Sequence, residues 1–227
     1  MEYLHDAFAL FFGENNELRQ IIAVTLRMSF FSTLISTVVG MPLGVLIGSR
    51  DFAGKKYVIR ITQTLMGLPP VVAGLMVFLL LSRSGPFGSL KLLFSVKAMV
   101  IAQVMLITPI VIGLTTSITA IRAPSLLETS RGFGLPCRRE IGLLLYESRK
   151  ALISVIMSGF GRAISEVGAV SLVGGNVQYK TRVMTTAIML ETNKGNFEFA
   201  IALGIILLLI SLIVNSLAQR LQEEKND

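Results

Sequence analysis

Residues 199–218 read FAIALGIILLLISLIVNSLA, an uncharged run. About 20 mostly apolar residues in helical geometry cross the roughly 30 Å of hydrocarbon in a bilayer, so this stretch is predicted to span a membrane. Four further stretches pass the same test, near residues 21–48, 61–81, 98–120 and 151–173. The composition agrees: 52% of the 227 residues are hydrophobic and only 15% are charged, against about 25% charged in soluble domains. The chain is therefore expected to be an all-α membrane protein with five transmembrane helices at 21–218, a polar lead at 1–20 and a short tail at 219–227. No internal repeat divides it into halves. One Cys and one His exclude a disulfide framework and leave too few soft ligands for a metal site. The first twenty residues hold Glu2, Asp6, Glu14 and Glu17, and lack the basic start of a cleaved signal peptide.

In a membrane chain the net charge of +7 bears on loop placement rather than on nucleic acid. Segments 49–60 and 121–150 with the tail carry 12 Lys and Arg; the opposite segments carry seven, namely Arg19, Arg83, Lys91, Lys97, Lys180, Arg182 and Lys194. The positive-inside rule puts the richer set in the cytoplasm, giving an external N-terminus and a cytoplasmic C-terminus.

Two spans carry features that a simple anchor does not need. In the second, Gly67-Leu68-Pro69-Pro70 removes two backbone donors and biases the preceding residues away from helix. Broken backbone at membrane depth persists only where protein or a polar cavity surrounds it, so Pro69 and Pro70 are candidates for a pathway or gate. Pro42 and Pro109 are expected to kink the first and third spans more mildly. The fourth span is rich in small residues, from Ser158 to Ala169, which favour close helix contact. It also holds Arg162 and Glu166, spaced i and i+4 and expected on one helical face. Charges at membrane depth face protein or water. The pair is either mutual glue within the bundle or, with Glu166 fixing the Arg162 rotamer, part of an anion pathway. Arg27 in the first span is a third candidate, near enough to the outer end to snorkel.

The 121–150 segment has the marks of an organised cytoplasmic element. Ser125-x-x-Glu128 after Pro124 is a capping-box pattern, while Gly134 and Pro136 form a stop. A short separate helix is predicted there, followed from about Arg138 by a second helix leading into the fourth span.

Glu128-Thr129-Ser130 with Gly134 six residues after the glutamate resembles the EAA loop of permeases from ATP-binding-cassette importers. Thr129 and Ser130 replace the two alanines, and Leu144-Leu145-Tyr146-Glu147 stands where that family has Ile-x-Leu-Pro. The stretch from Gly159 to Ala169, with Gly174-Gly175-Asn176 and the later Thr181–Ile188 and Leu190-Glu191-Thr192, looks like the segment after the loop in molybdate, sulfate and tungstate permeases. The wording Ala-Ile-Ser-Glu-Val-Gly-Ala is nearest to the tungstate type. The resemblance covers residues 20–220 and implies the type I importer permease fold. It further implies a coupling helix at Ser125, Glu128, Thr129, Ser130 and Gly134, two cytoplasmic ATPase subunits, a second copy of this chain and an extracytoplasmic anion-binding protein. ATP and Mg would belong to the ATPase, because Gly54-Lys55 lacks the rest of a P-loop and no cofactor is assigned to this chain. The location implied is a bacterial or archaeal plasma membrane. A molybdate or sulfate permease, an ion-coupled secondary transporter and a non-transporting scaffold are the alternatives. No nucleophile–base pair or HExxH pattern supports an enzyme.

Overall fold

The computed structural model describes residues 16–132 and 136–223, and among these the regular structure is entirely helical. In chain order the α-helices are α1 (Asn16–Ser49), α2 (Lys55–Met66), α3 (Pro70–Leu81), α4 (Val96–Gly132), α5 (Cys137–Glu147), α6 (Arg149–Ile164), α7 (Gly168–Gly174), α8 (Met184–Asn193) and α9 (Phe197–Glu223). Stretches of α1, α4 and α9 are long and apolar enough to cross a membrane. The remaining predicted spans are bent pairs: α2 and α3 meet at 97°, α6 and α7 at 55°. Each pair is a broken span or a re-entrant segment by length and composition.

The frame is the pair α1 and α4. Ser32 Oγ donates to Gln103 Oε1 at 2.6 Å, Thr108 Oγ1 to Ser36 Oγ at 3.2 Å and Thr116 Oγ1 to the Gly44 carbonyl at 3.2 Å. The separations of 71, 72 and 72 residues are nearly constant, so the two helices run parallel in one register. Gly40, Gly44 and Gly48 make this approach possible. A Cβ on Gly44 would lie 2.6 Å from Thr115 Cβ and 2.8 Å from the Ile112 carbonyl; one on Gly48 would lie 2.8 Å from the Thr116 carbonyl. Lipid offers no hydrophobic drive between helices, so close backbone packing of this kind supplies the attraction. Both helices run through their internal prolines, Pro42 in α1 and Pro109 in α4.

Around this frame the apolar contacts form layers. Val24 and Met28 of α1 pack with Ala73 and Val77 of α3, Met99 and Ala102 of α4, and Val170 and Val173 of α7. Leu18 and Ile21 meet Met184 and Ala187 of α8 and Leu203 and Ile206 of α9. Val45 closes the far end with Ala123, Leu127 and Leu144.

Two sequence expectations are corrected. The helix predicted to begin at Ser125 is not separate: Pro124, Ser125 and Glu128 lie inside α4, and Ser125 Oγ donates to the Arg122 carbonyl at 3.4 Å. Burial of Ala123 and Leu127 against Val45 and Leu144 holds the helix through Pro124, so tertiary packing outweighs the local capping signal. Arg162 and Glu166 do not share one continuous helix, because α6 ends at Ile164. Among the described residues, α1 begins at Asn16, ahead of the predicted span start near residue 21. Gly134, the expected stop, lies outside the described residues; the following helix begins at Cys137 with Pro136 as its N-cap.

Candidate functional site

The two helix breaks meet. At the first, the Gly67 amide donates to the Thr64 carbonyl and closes α2. Pro69 then takes an extended conformation (φ −60°, ψ 129°), and Pro70 opens α3, where its missing N–H has no intrahelical use. At the second, Ser165, Glu166 and Val167 separate α6 from α7. A Cβ on Gly168 would come within 2.9 Å of Val71 Cγ2 and 3.6 Å of Pro70 Cβ; one on Gly74 would come within 2.6 Å of Ala169 Cα. The two short helices thus approach closely: at Gly74 an added Cβ would meet the Ala169 backbone, while at Gly168 it would meet a Val71 methyl.

Glu166 organises this junction. Its side chain is 3% exposed. Oε1 accepts a hydrogen bond from the Ala169 amide at 3.1 Å, which satisfies one of the free N–H groups at the start of α7. Oε2 lies 3.5 Å from Arg162 Nη2, too long for a strong hydrogen bond. Thr185 Oγ1 donates to the Glu166 carbonyl at 2.9 Å and ties the break to α8. Arg162 is 38% exposed at the side chain, so part of its guanidinium faces away from the carboxylate. A bulky planar cation with free N–H groups suits a tetrahedral oxyanion.

The small residues of α6 divide into two faces. Gly159 packs against Ile107 and Val111, and Ala163 is buried. Ser154, Ser158, Gly161 and Ser165 are exposed, a spacing that lines one side of a helix. The sequence reading took the small residues together as packing residues and missed this division. It also passed over Asn215 and Gln219, one helical turn apart in the most apolar span; with Ser154 and Ser158 they line a groove of about 310 Å³.

Arg27 stands apart from the break junction. It is exposed on α1 and lines a separate groove with Lys97 and Lys180. At the other end of the frame, Arg50 pairs with the buried Glu140 of α5. Arg122 Nη1 donates to the Glu147 carbonyl at 2.7 Å, and the Arg149 guanidinium stacks 4.0 Å above the Tyr146 ring. These contacts fasten α5 to the end of α1, to α4 and to α6. Glu128 is exposed near the end of α4, while the side chains of Thr129 and Ser130 fall outside the described residues. No cluster of three or more His, Cys, Asp or Glu suited to a metal occurs among the described residues.

Residues 40–225 match the family of binding-protein-dependent transport system inner membrane components. The chain belongs to that family. A probable anion ABC transporter permease of Haloferax volcanii is 39% identical, the match covering 91% of each chain. The tungstate uptake system permease TupB of Peptoclostridium acidaminophilum is 37% identical, over 99% of this chain and all of that one. A sulfate transport system permease of Synechocystis is more distant, at 25% identity over 93% of this chain and 79% of its own length. Among solved structures, the inward-facing MetNI methionine ABC transporter matches with a TM-score of 0.75 at 17% identity, over 92% of this chain and 95% of that one. A bacterial importer of the acidic polysaccharide alginate matches with a TM-score of 0.76 at 19% identity, over 98% and 84%. The fold is that of an importer permease, and the family member is a transport subunit rather than an enzyme.

Proposed function

We propose that this chain is the permease of a tungstate importer. Two copies form the pathway across a bacterial or archaeal plasma membrane, fed by an extracytoplasmic anion-binding protein. Two cytoplasmic ATPase subunits, which hold ATP and Mg, drive it. The observation that carries the substrate is the end-to-end similarity to tungstate uptake permeases at 37% identity. The geometry supports it: a part-exposed Arg162 sits where two broken helices meet, beside an exposed face of small hydroxyl residues on α6 that suits water and anions better than lipid. That face also gives a second copy something to enclose. Each bent pair serves as one broken span, so the count is five, with the N-terminus outside and the C-terminus cytoplasmic on the basic-residue asymmetry. The end of α4 and the segment through Gly134, including Ser125, Glu128, Thr129 and Ser130, dock on the ATPase, and α5 passes its motion to α1 through Arg50 and Glu140.

The test is uptake by permease and ATPase reconstituted in liposomes with the binding protein outside. Tungstate should accumulate only with internal ATP, and excess molybdate or sulfate should compete poorly. Uptake driven by an ion gradient without ATP would refute the importer reading, and preferred accumulation of sulfate would refute the substrate.

A further inference from the structure

Arg27, Lys97 and Lys180 have no ion-pair partner among the described residues, yet they gather around one groove of about 890 Å³. No carboxylate among the described residues lines it. The parallel register of α1 and α4 explains the gathering: the offset of 71 to 72 residues brings Arg27 level with Ala98 and Met99, beside Lys97 in the first turn of α4. Lys180 and Tyr179 reach the same mouth from the segment between α7 and α8, and the Gln20 amide holds that segment by donating to the Tyr179 carbonyl.

These cations mark a membrane boundary. From Met28 to Ser49 α1 carries no charge, and from Ala98 to Ile121 neither does α4. Both uncharged runs exceed the roughly 20 residues that cross the hydrocarbon, so Arg27 and Lys97 stand at its edge and Arg50 and Arg122 at the opposite one. Below the cations the groove is apolar. Phe31 and Ile35 follow Arg27 down one helix, while Val100 and Ile101 follow Lys97 down the other. Phe31, Ile35 and Ile101 remain 50%, 41% and 41% exposed. The eight residue steps from Arg27 to Ile35 cover about 12 Å of helix, close to the depth of one leaflet.

We propose that this groove is a binding site for an anionic phospholipid in the leaflet at the N-terminal end of α1. The phosphate lies among Arg27, Lys97 and Lys180, and one acyl chain lies along Phe31, Ile35, Val100 and Ile101. A free oxyanion would need polar groups deeper in the groove, where the lining offers hydrocarbon. A positive rim above an apolar cleft at the bilayer edge matches an amphiphile with a negative head.

The chain contains no tryptophan, so Phe31→Trp gives the full-length permease a single fluorescent reporter inside the groove. Leu212→Trp places a control on the exposed face of α9. Each is reconstituted in mixed bilayers in which either phosphatidylglycerol or phosphatidylcholine carries brominated chains, at equal mole fraction. At position 31, quenching should reveal roughly a five-fold enrichment of phosphatidylglycerol, the effect of about one surface cation on an anionic lipid. The control should reveal none, and Arg27→Ala with Lys97→Ala and Lys180→Ala should abolish the enrichment at 31. Equal quenching by both lipids would overturn the proposal. Absence of quenching by either would also overturn it, since a second copy or residues 1–15 would then cover the groove. Loss of the enrichment on adding dilute tungstate or inorganic phosphate would reassign the cations to a free oxyanion and overturn it as well.

Discussion

The frame pair α1 and α4 and the junction pair α3 and α7 both rely on glycine for close approach, and they use it in opposite ways. In the frame, Gly40, Gly44 and Gly48 remove side chains from one face of an unbroken helix, so two long helices lie together over several turns. In the junction, Gly74 and Gly168 let two short helices touch where each has just separated from the helix before it. The frame helices run on through Pro42, Pro109 and Pro124, where each proline removes one ladder hydrogen bond without ending its helix. The junction has its ladder interrupted at both Gly67–Pro69 and Ser165–Val167, and a single carboxylate spans the second interruption. Under the importer function proposed above, the frame is the architectural part and the junction is the candidate gate.

The comparison breaks first, and with the largest effect, at Gly44. A methyl group there already meets Thr115 Cβ at 2.6 Å and a backbone carbonyl at 2.8 Å, so Gly44→Leu must force α1 from α4. Overpacking of this kind costs about 1–3 kcal/mol in compliant cores, and two backbones in contact have little compliance. The expected result is loss of a monodisperse species on size exclusion, or a melting temperature lowered by many degrees. Gly161→Ala on the exposed face of α6 is the counterpart, since an added Cβ there meets nothing within 4 Å. It should change stability by less than about 0.5 kcal/mol. Equal melting behaviour of the two variants would mean that the frame is not locked by its glycines.

Next in size is the junction pair. Arg162→Leu leaves the buried Glu166 without its cation. Removing one partner of a fully buried pair costs about 3–5 kcal/mol, and the part-exposed arginine places this case below that range. Adding Glu166→Leu removes the uncompensated charge and should recover part of the melting temperature, though the Ala169 amide then loses its acceptor. Transport separates the two readings of the pair. If Arg162 faces the passing anion, the folded double variant should import tungstate at least about tenfold more slowly, equivalent to 1.4 kcal/mol of barrier. Lys at 162 should recover part of the rate, keeping the charge but not the planar fork. Full uptake by the double-leucine variant, normalised to folded protein, would make the pair glue alone.

These two regions were unequally legible in the sequence. The five apolar stretches gave the helices, and Pro69-Pro70 gave the first break, because proline acts through its own ring and needs no partner. The second break was missed: Ser165, Glu166 and Val167 carry no breaker, and the interruption depends on Glu166 capping α7 and on Thr185 holding its carbonyl from another element. Ser125-x-x-Glu128 misled in the converse way. A good local cap was present, and packing of Ala123 and Leu127 against α1 and α5 kept the helix going. The glycines at 40, 44 and 48 were not singled out in the sequence, and their partner on α4 becomes apparent only from the shared register. Arg27 was noticed as a charge in a span, whereas the uncharged run beginning at Met28 places it at the edge.

The smallest effect is expected outside both pairs, at the turn joining α8 to α9. Glu191 accepts from Lys194 Nζ at 2.7 Å and from Asn196 Nδ2 at 3.0 Å, and the Asn196 amide donates to the Glu191 carbonyl at 2.9 Å. The Lys194 hydrogen bond, chiefly, holds the Glu191 carboxyl below its ordinary value of 4.5 against the opposing effect of burial; Asn196 and the charges of Lys194 and Arg182 add to the lowering. A carboxyl whose folded pKa is depressed contributes stability that is present above its unfolded pKa and is lost as pH falls through the folded one. Hydrogen exchange of residues 191–196, corrected for intrinsic rate, should therefore show less protection near about pH 4 than near about pH 6, with the loss continuing at lower pH. Glu191→Gln should flatten that dependence. Its cost should stay under about 1 kcal/mol, because Lys194 is half exposed, and transport should continue. Unaltered pH dependence in the Gln variant would assign the titration to another group. A transport loss as deep as that of the double-leucine variant would carry more weight, because it would extend the gate through Thr185 and α8 to this turn and redraw the line between the parts that hold and the parts that move.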